Sequence, residues 1–545
     1  MILIGLTIAS TAAGGSASAD QCNIDGRVLL WGDLHVHTSY SMDAYVWDNQ
    51  VTPKQAYRFG QGVPLIAKDG SKIRLDRPLD FMAVTDHAEY FGVIEACQVL
   101  NFDTPYCKDL RAAAVEDSTR GFYEVFLPAL LEGDRLCQGD ADECSQQTQS
   151  LWRRTIEAAE QANQPCLFTT FVANEWTASP GNLHWHRNLI YANTTVPKRA
   201  INSFDEPDQI ALWKALEERC GQVEDCDVLA IPHNSNIGMG GAFDLAGHTK
   251  EDLTLRARFE KLVEIHQHKG ASECFAGSML SDEDCGFEIM LPVPLLRELQ
   301  NNPRDLSEAE NKAVAKGYVR DTLAKGLEVK EGTGVNPFVY GFVGATDTHS
   351  GRPGAVDEAD WRGAIGSYDL SPERLSQYTH YNPGGLTAVW AEENTRGAVF
   401  AALKRRETYA TSGPRIGLVF GVSGDDLTCS SGEFYPMGST YRGDKPPNFV
   451  VKVQQDRVPL QQIDLIKLQF VEGKINQSIK SWQADGPGQA DWCITWTDSE
   501  FAAELPTAWY VRVLQTPTMR WDGKGQIRER AWSSPIWSVS GSNWE

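Results

Sequence analysis

The chain has 545 residues, of which 42% are hydrophobic and 23% are charged. This composition excludes a disordered or low-complexity protein, and the length allows several domains of the usual ~100–200 residues. The formal net charge of −23 argues against a surface that binds nucleic acid or an anionic membrane. We therefore expect no nucleic-acid partner.

The first 19 residues have the pattern of a signal peptide. An apolar stretch is followed by Ala17, Ser18 and Ala19, a small-residue cleavage pattern that precedes Asp20. The apolar stretch is shorter than the ~20 residues that cross a bilayer. We expect a periplasmic or secreted protein that has no stable membrane anchor after cleavage.

Twelve cysteines follow this segment, and an even number in an exported chain indicates disulfides. Their spacing suggests the pairs Cys97–Cys107, Cys137–Cys144, Cys220–Cys226, Cys274–Cys285, Cys429–Cys493 and, by remainder, Cys22–Cys166. The chain has no Cys-x-x-Cys pair, which disfavours the alternative of thiolate metal sites.

Hydrophobic periodicity predicts an alternation of strands and helices in the first three quarters of the chain. Runs of strand type occur at 28–31, 79–87, 166–177, 183–192, 228–234, 262–268, 338–349 and 386–390, and helical segments at 112–131, 149–161, 207–220, 293–328 and 395–405. Such alternation predicts an α/β fold with a parallel sheet.

Metal-binding residue types stand at the ends of these strand-like runs. The first run leads into His35 and His37, which point to the same side of an extended chain. Asp43 follows on a short loop. Later runs end in His87, Glu175, His233, His266, Asp347 and His349. Because ligands of parallel sheets lie at the carboxyl ends of strands, we expect one site at that face of a barrel or open sheet.

The pattern changes near residue 412. From 413 to 545 the chain has short β-type runs with turn signals and no helical period. We predict a signal peptide at 1–19, a catalytic domain at 20–412 and an all-β, sandwich-like domain at 413–545.

The order His-x-His, Thr-Asp-His, a strand-end Glu, two strand-end His residues and a final Asp-x-His resembles the polymerase-and-histidinol-phosphatase (PHP) superfamily. The resemblance covers roughly residues 28–410. The long, exported chain looks like a member of a little-characterised branch of that superfamily. It implies a distorted (β/α)7-type barrel with insertions, a site with two or three metal ions, and phosphoesterase activity.

The resemblance also assigns the ligands to individual metals. It implies a first metal on His35, His37, Glu175 and Asp347, a second on Glu175, His233 and His266, and a third on Asp43, His87 and His349. The superfamily more often has His at the position of Asp43, and a carboxylate there favours Mn²⁺ or Mg²⁺ over Zn²⁺. His268 is the alternative to His266. Asp33 and Asp86 either orient imidazoles or cap loops.

A mixed His and carboxylate set without Cys suits Zn, Mn or Fe, and mixed occupancy is compatible with it. Metal-activated water can attack a phosphoryl group without a protein nucleophile. The candidate cations for the developing charge are Arg187, Lys269, Arg320 and Arg352, and the alternative for each is an ordinary ion pair. His184, in a second His-x-His with His186, is a candidate substrate contact or general acid, or a packed residue.

The favoured function is that of an exported metal-dependent phosphomonoesterase or phosphodiesterase with a small phosphorylated substrate. A metal-dependent hydrolase of a C–N or C–O bond, such as an amide or lactone, would need the same ligands. A third reading is a non-catalytic, metal-containing binding protein.

Overall fold

The structure, a computed structural model, describes residues 26–67, 70–116, 141–366, 380–430 and 432–538. The predicted signal peptide and much of the predicted helix at 112–131 lie outside these ranges. Within them, no helix combines the length and apolar character needed to cross a membrane.

Helices occur in both halves of the first 405 residues. They are α1 Met42–Val46, α2 Pro53–Gly60, α3 Phe91–Ile94, α4 Pro105–Glu116, α5 Ala141–Ala162, α6 Gln209–Leu216, α7 Lys250–Phe259, α8 Val293–Asn301, α9 Glu308–Ala315, α10 Val319–Thr333 and α11 Arg396–Arg405. The predicted helical segment 149–161 lies inside α5, and 395–405 matches α11.

Strands are distributed along the whole described chain. The first twelve are β1 Val28–Asp33, β2 Leu65–Ile66, β3 Lys72–Ile73, β4 Phe81–Ala83, β5 Thr169–Trp176, β6 Arg187–Tyr191, β7 Val228–Pro232, β8 Leu262–Gln267, β9 Gly270–Ala271, β10 Gly341–Gly344, β11 Leu386–Ala391 and β12 Thr408–Thr411. The others are β13 Gly417–Ser423, β14 Tyr435–Pro436, β15 Thr440–Tyr441, β16 Asn448–Gln454, β17 Leu460–Val471, β18 Lys474–Gln483, β19 Asp491–Thr497, β20 Thr507–Gln515, β21 Thr518–Met519, β22 Gln526–Ile527, β23 Arg530–Ser533 and β24 Ile536–Ser538.

The mixed α/β class is as predicted, but the sheet is neither all-parallel nor closed. Strands β1, β4 and β5 are parallel neighbours, as are β8 and β10. Strand β6 runs antiparallel between β5 and β7, and β11 runs antiparallel to β1. The hydrogen-bonded path ends at β7, and the adjacent β8 belongs to another sheet. The closed (β/α)7 barrel is therefore not confirmed.

Although the large sheet is open, its strands and those of the sheet that contains β8 and β10 share one apolar cluster. Strands β1, β4, β5, β6, β7, β8, β10 and β11 each contribute a buried side chain to it: Leu30, Phe81, Phe171, Ile190, Leu229, Leu262, Val343 and Val389. Helix α11 adds Val399, Phe400 and Leu403. This shared core fixes the strand ends relative to one another, which is what a multi-strand site needs.

The C-terminal strands continue the same sheet. Strand β12 pairs with β23, and β20 pairs with β23, β24 and β17, so the sheet crosses residue 412 without a break. A second sheet, with strand order β14-β13-β16-β19, packs on it. The ring centroids of Phe449 and Trp509, from the two layers, are 5.3 Å apart. The described part of 413–545 is thus two-layered and all-β.

Four of the predicted disulfides are present. They are Cys97–Cys107, Cys220–Cys226, Cys274–Cys285 and Cys429–Cys493. The predicted pairs Cys137–Cys144 and Cys22–Cys166 each include a cysteine outside the described residues. Disulfides of this number are typical of proteins that fold in an oxidising compartment.

A buried charge network joins the two parts of the chain. One carboxylate oxygen of Glu273 accepts hydrogen bonds from Arg320 (2.7 Å), the Tyr510 hydroxyl (2.9 Å) and Arg512 (3.1 Å). The other accepts one from the Trp532 indole at 2.7 Å. Arg320 and Arg512 outweigh the effect of burial and lower the pKa of Glu273 to about 2. Its four partners come from α10, β20 and β23.

We expect Glu273→Ala to lower the free energy of unfolding by roughly 1–3 kcal/mol, because it removes the acceptor of four buried donors, while Arg320 and Arg512 keep ion pairs with Asp282 and Asp464. The matched control is Glu328→Ala, which removes an exposed pair with Lys325 and should change the value by less than ~0.5 kcal/mol. Urea unfolding of both variants checks this. Equal, small effects would show that the network contributes little to stability.

Candidate metal centre

The structure brings eight of the nine predicted ligands together in three adjoining groups. They are His35, His37, Asp43, His87, Glu175, His233, Asp347 and His349. Seven of the side chains leave the carboxyl ends of β1, β4, β5, β7 and β10, or the loops just beyond, and Asp43 lies in the first turn of α1 rather than on the predicted loop. Three further residues lie at the centre: His186 beside Glu175, Glu264 beside His35, and His268 beside Asp347.

The first group consists of four electron-rich atoms at nearly equal separations. His35 Nε2 lies 3.1 Å from His37 Nε2, 3.3 Å from Glu175 Oε2 and 3.2 Å from Asp347 Oδ1. His37 Nε2 lies 3.2 Å from each of the two carboxylate oxygens. Four ligands bound tetrahedrally at about 2.0 Å would lie about 3.3 Å apart. The residues of this group therefore fit a metal ion.

The second group forms around the other oxygen of Glu175. Its Oε1 lies 3.2 Å from His233 Nε2 and 2.8 Å from His186 Nδ1. One carboxylate thus faces two groups at once, one through each oxygen. This is the geometry expected of a bridging ligand.

His186 reaches this group because β6 runs antiparallel to its neighbours. The carboxyl ends of β5 and β7 carry Glu175 and His233, whereas it is the amino end of β6 that meets them. His186 stands just before β6, so it arrives at the same edge. The signal in the sequence is that the run 183–192 has its histidines at its start.

The third group is the most accessible of the three. Asp43 Oδ2 lies 3.1 Å from His87 Nε2 and 2.9 Å from His349 Nε2. The Asp43 side chain is 16% exposed, against 1% for Glu175. Solvent and ligands therefore approach the centre most easily beside Asp43.

His266 is the predicted ligand that does not join the centre. Its ring centroid lies 5.4 Å from that of Phe287 and 5.7 Å from that of Trp532, on the outer side of β8. A β-bulge interrupts the pairing of β8 with β10 after Glu264, which changes the face to which later side chains point. His268 lies instead beside Asp347, with Nε2 3.3 Å from Oδ2.

A second contact fixes the orientation of five imidazoles. These contacts are His35 Nδ1 to Glu264 Oε2 (3.0 Å), His37 Nδ1 to Ser41 Oγ (2.8 Å), His87 Nδ1 to Thr177 Oγ1 (2.6 Å), His349 Nδ1 to the Asp347 carbonyl (2.8 Å) and His186 Nε2 to Ser179 Oγ (2.8 Å). In each of these rings, the other nitrogen points into one of the three groups of candidate ligands. Such outer contacts are how proteins position metal-binding histidines.

Asp33 and Asp86 hold loops rather than imidazoles. Asp33 accepts hydrogen bonds from the Thr346 hydroxyl at 2.6 Å and the Gly354 amide at 2.9 Å. Asp86 accepts hydrogen bonds from the Thr38 amide at 2.6 Å and hydroxyl at 2.7 Å. Of the two predicted roles, the structure therefore shows loop anchoring.

Burial keeps two of the central imidazoles neutral. Burial and the nearby His349 and His87 lower the pKa of His37 to about 4. Burial and His35 lower the pKa of His233 to about 3. Both rings are therefore unprotonated near pH 7, which is the form that binds a metal ion.

The predicted arginine cations lie elsewhere. Arg187 is fully buried and pairs with Glu260 at 3.0 Å. Arg352 is buried and donates to the Gly363 carbonyl at 2.9 Å. Arg320 belongs to the Glu273 network. The cation at the centre is Lys269, whose Nζ contacts Asp347 Oδ2.

His184, the predicted acid, lies at the margin of the centre. Its ring stacks on that of His186 with centroids 4.4 Å apart, and Nδ1 has no hydrogen-bond partner among the described residues. Burial, His186 and Lys269 hold its pKa well below the usual range. The ring is therefore neutral near pH 7.

Comparison with known proteins identifies the family. The sequence matches the family described as "Protein of unknown function (DUF3604)" over residues 25–484 and 469–540. The chain therefore belongs to this family. An uncharacterized protein of Chlamydia pneumoniae is 25% identical over 285 residues, which are 52% of this chain and 35% of that protein. The chain thus spans about a third of the length of this curated relative.

One solved structure aligns with most of the chain at low similarity. It is a two-domain protein from Bacteroides vulgatus that contains a predicted PHP-like metal-dependent phosphoesterase. The identity is 12%, the TM-score is 0.31, and the alignment covers 93% of this chain and 96% of that one. At this TM-score the likeness carries no inference about the present chain.

The structure places His186 and His268, and not the predicted His266, in the centre. The metal content of variants tests this placement. We expect His186→Leu to lose about one equivalent of metal, because it removes a nitrogen that faces Glu175. His266→Leu should keep the wild-type content, since its ring packs among aromatic residues. Elemental analysis of the purified variants measures this, with circular dichroism as the check on folding. Metal loss in His266→Leu alone would contradict this assignment.

Proposed function

We propose that this chain is an exported hydrolase that depends on two or three divalent metal ions and acts on a small phosphate ester. The observation that carries the proposal is the first group, in which five ligand–ligand distances of 3.1–3.3 Å match a tetrahedral metal site. Its residues are those to which the PHP resemblance assigns the first metal.

The donor set fits Zn, Mn or Fe. The three groups offer imidazole nitrogens and carboxylate oxygens and no thiolate. Glu175 would bridge the first and second metals, and His186 would take the place predicted for His266. Asp43, His87 and His349 would hold the third metal. When bound, such ions lower the pKa of a water and neutralise phosphoryl oxygens.

The protein's own residues complete the chemistry. Lys269 brings a positive charge to the edge of the centre, where charge develops on a phosphoryl group. Of the four predicted cations, we assign this role to Lys269 rather than to Arg187 or Arg352. His184, neutral near pH 7 and stacked on His186, has no hydrogen-bond partner for Nδ1 among the described residues and can donate a hydrogen bond to a bound ester.

Access to the centre favours a small substrate. Most of the ligands are almost fully buried, and only the Asp43 side of the centre and Lys269 reach solvent appreciably. The four disulfides of the described residues support export.

The proposal predicts hydrolysis of a generic aryl phosphate by the purified protein with two or three equivalents of metal. His37→Ala should lose the first metal and at least ~10²-fold in kcat/KM, because the reaction depends on metal-activated water. Elemental analysis and assays of an aryl monoester and diester measure this. Metal without turnover of either ester would exclude phosphate esters in favour of another bond, and absence of tightly bound metal would overturn the centre itself.

The role of Lys269 gives a second test. We expect Lys269→Ala to lower kcat/KM for the phosphate ester roughly 10- to 100-fold, since one positive charge is lost beside the developing anion. Lys250→Ala removes an exposed lysine on α7 and should leave the rate unchanged. A neutral carboxylic ester serves as the comparison substrate. An equal loss on both substrates would argue against a phosphate-specific role.

A further inference from the structure

A hairpin of the C-terminal region, β21–β22, contacts the part of the chain that carries the metal centre. Its two short strands are antiparallel. The residues that directly follow β21 are Arg520 and Trp521. They contact three separate segments of the first 412 residues, at 288, 381 and 358–361.

Arg520 joins two of these segments. Its guanidinium donates hydrogen bonds to both carboxylate oxygens of Glu288, at 2.7 and 3.0 Å, and to the backbone carbonyl of Tyr381 at 2.9 Å. The forked guanidinium suits this arrangement, whereas a lysine ammonium group is a single point charge. The Arg520 side chain is 16% exposed, so these bonds are partly shielded from water.

Both segments hold the chain on either side of His268 and Lys269. The backbone carbonyl of Glu288 accepts a hydrogen bond from the Ala271 amide at 3.0 Å. Asn382, next to the second contact of Arg520, donates its backbone amide to the His268 carbonyl at 3.1 Å and its side-chain amide to the same oxygen at 3.2 Å. Arg520 therefore supports both sides of the turn that brings Lys269 to the centre.

Trp521 contacts the third segment and reinforces the second. Its backbone amide donates a hydrogen bond to the Glu358 carboxylate, and its indole N–H donates one to the Tyr381 carbonyl at 3.1 Å. Its ring lies edge-on to that of Trp361, with centroids 4.4 Å apart. Trp361 is buried, so this aromatic contact is largely shielded from water.

The third segment belongs to the loop that follows the candidate ligand His349. The His349 amide donates a hydrogen bond to the Ala364 carbonyl at 2.6 Å. Arg352 donates one to the Gly363 carbonyl at 2.9 Å, which holds the two ends of the loop together. Residues 361–364 therefore lie against the ligand, and the ring of Trp521 packs on the first of them.

We propose that Arg520 and Trp521 are positioning residues of the metal centre, through which the C-terminal region fixes the segments around His268, Lys269 and His349. This role rests on the proposed function, because these three residues are taken to surround the metal ions and the ester. Among the described residues, no hydrogen bond or ion pair joins Arg520 or Trp521 to a candidate ligand, so both act through the three segments. Outer contacts of this kind determine how precisely a site is held.

Hydrogen exchange of the full-length protein as purified measures the positioning independently of catalysis. We expect Arg520→Gln to exchange the backbone amides of Ala271 and Asn382 at least tenfold faster than the wild type, because both segments lose their guanidinium. Trp521→Ala should accelerate exchange at the His349 amide by a similar factor. Trp521→Phe keeps an aromatic ring at this position and should keep the wild-type rate there.

Two controls separate positioning from loss of the fold. Lys524→Gln removes an exposed positive charge from the same hairpin and should exchange as the wild type does at all three amides. In every variant the amides of β20, a buried strand of the C-terminal region, should keep their wild-type rates. A crossed pattern, in which each variant loosens its own segment, is not expected from general destabilisation.

Metal release connects the positioning to the centre. With excess EDTA, we expect Trp521→Ala to release one equivalent of metal, that of the group with His349, at least tenfold faster than the wild type, and Trp521→Phe to release it at the wild-type rate. Wild-type exchange in both Arg520→Gln and Trp521→Ala, or faster exchange with wild-type metal release, would overturn the positioning role alone. A wild-type protein without bound metal would instead refute the metal centre on which this role rests.

Discussion

The structure depends on a close approach of atoms that repel one another. Two imidazole nitrogens and two carboxylate oxygens, from His35, His37, Glu175 and Asp347, lie 3.1–3.3 Å apart in a buried site. Such an arrangement is costly unless positive charge balances it. Rigid strand ends and loops held by hydrogen bonds keep these four atoms close together. Asp347 itself adopts a left-handed backbone conformation, with φ of 51°, which is uncommon for a residue with a side chain.

The centre uses strands of both directions. In a purely parallel sheet every ligand would come from a carboxyl end. Here β6 is reversed, so the residue before it, His186, meets the carboxylate at the end of β5. Because successive side chains of a strand alternate faces, the next residue, Arg187, points to the other side and pairs with Glu260. Strand β6 therefore brings the candidate ligand His186 to the centre and keeps the candidate cation Arg187 away from it.

Much of the centre could be predicted because its residues follow strand-like runs in a distinctive order. The spacing of residues, alone or together with the resemblance to the PHP superfamily, was enough to derive the α/β class, four disulfides and the convergence of eight candidate ligands. What could not be derived depends on backbone details that leave little trace in sequence. A bulge in β8 turns His266 away from the centre, and the end of this strand at Gln267 lets His268 lie beside Asp347. Buried carboxylates decide which cations remain available, as Glu273 and Glu260 do for Arg320 and Arg187.

The pairing of β1 has a consequence for the order in which the chain folds. One neighbour of β1, strand β4, is close in sequence, whereas the other, β11, is encoded far downstream. The contact of Asp33 with Thr346 closes a separation of 313 residues. Contacts of such long range form slowly and late. During synthesis, His35 and His37 therefore lack their neighbour Asp347 until most of the polypeptide has been made. An ion captured early would meet an incomplete and weaker set of ligands than the one in the native protein.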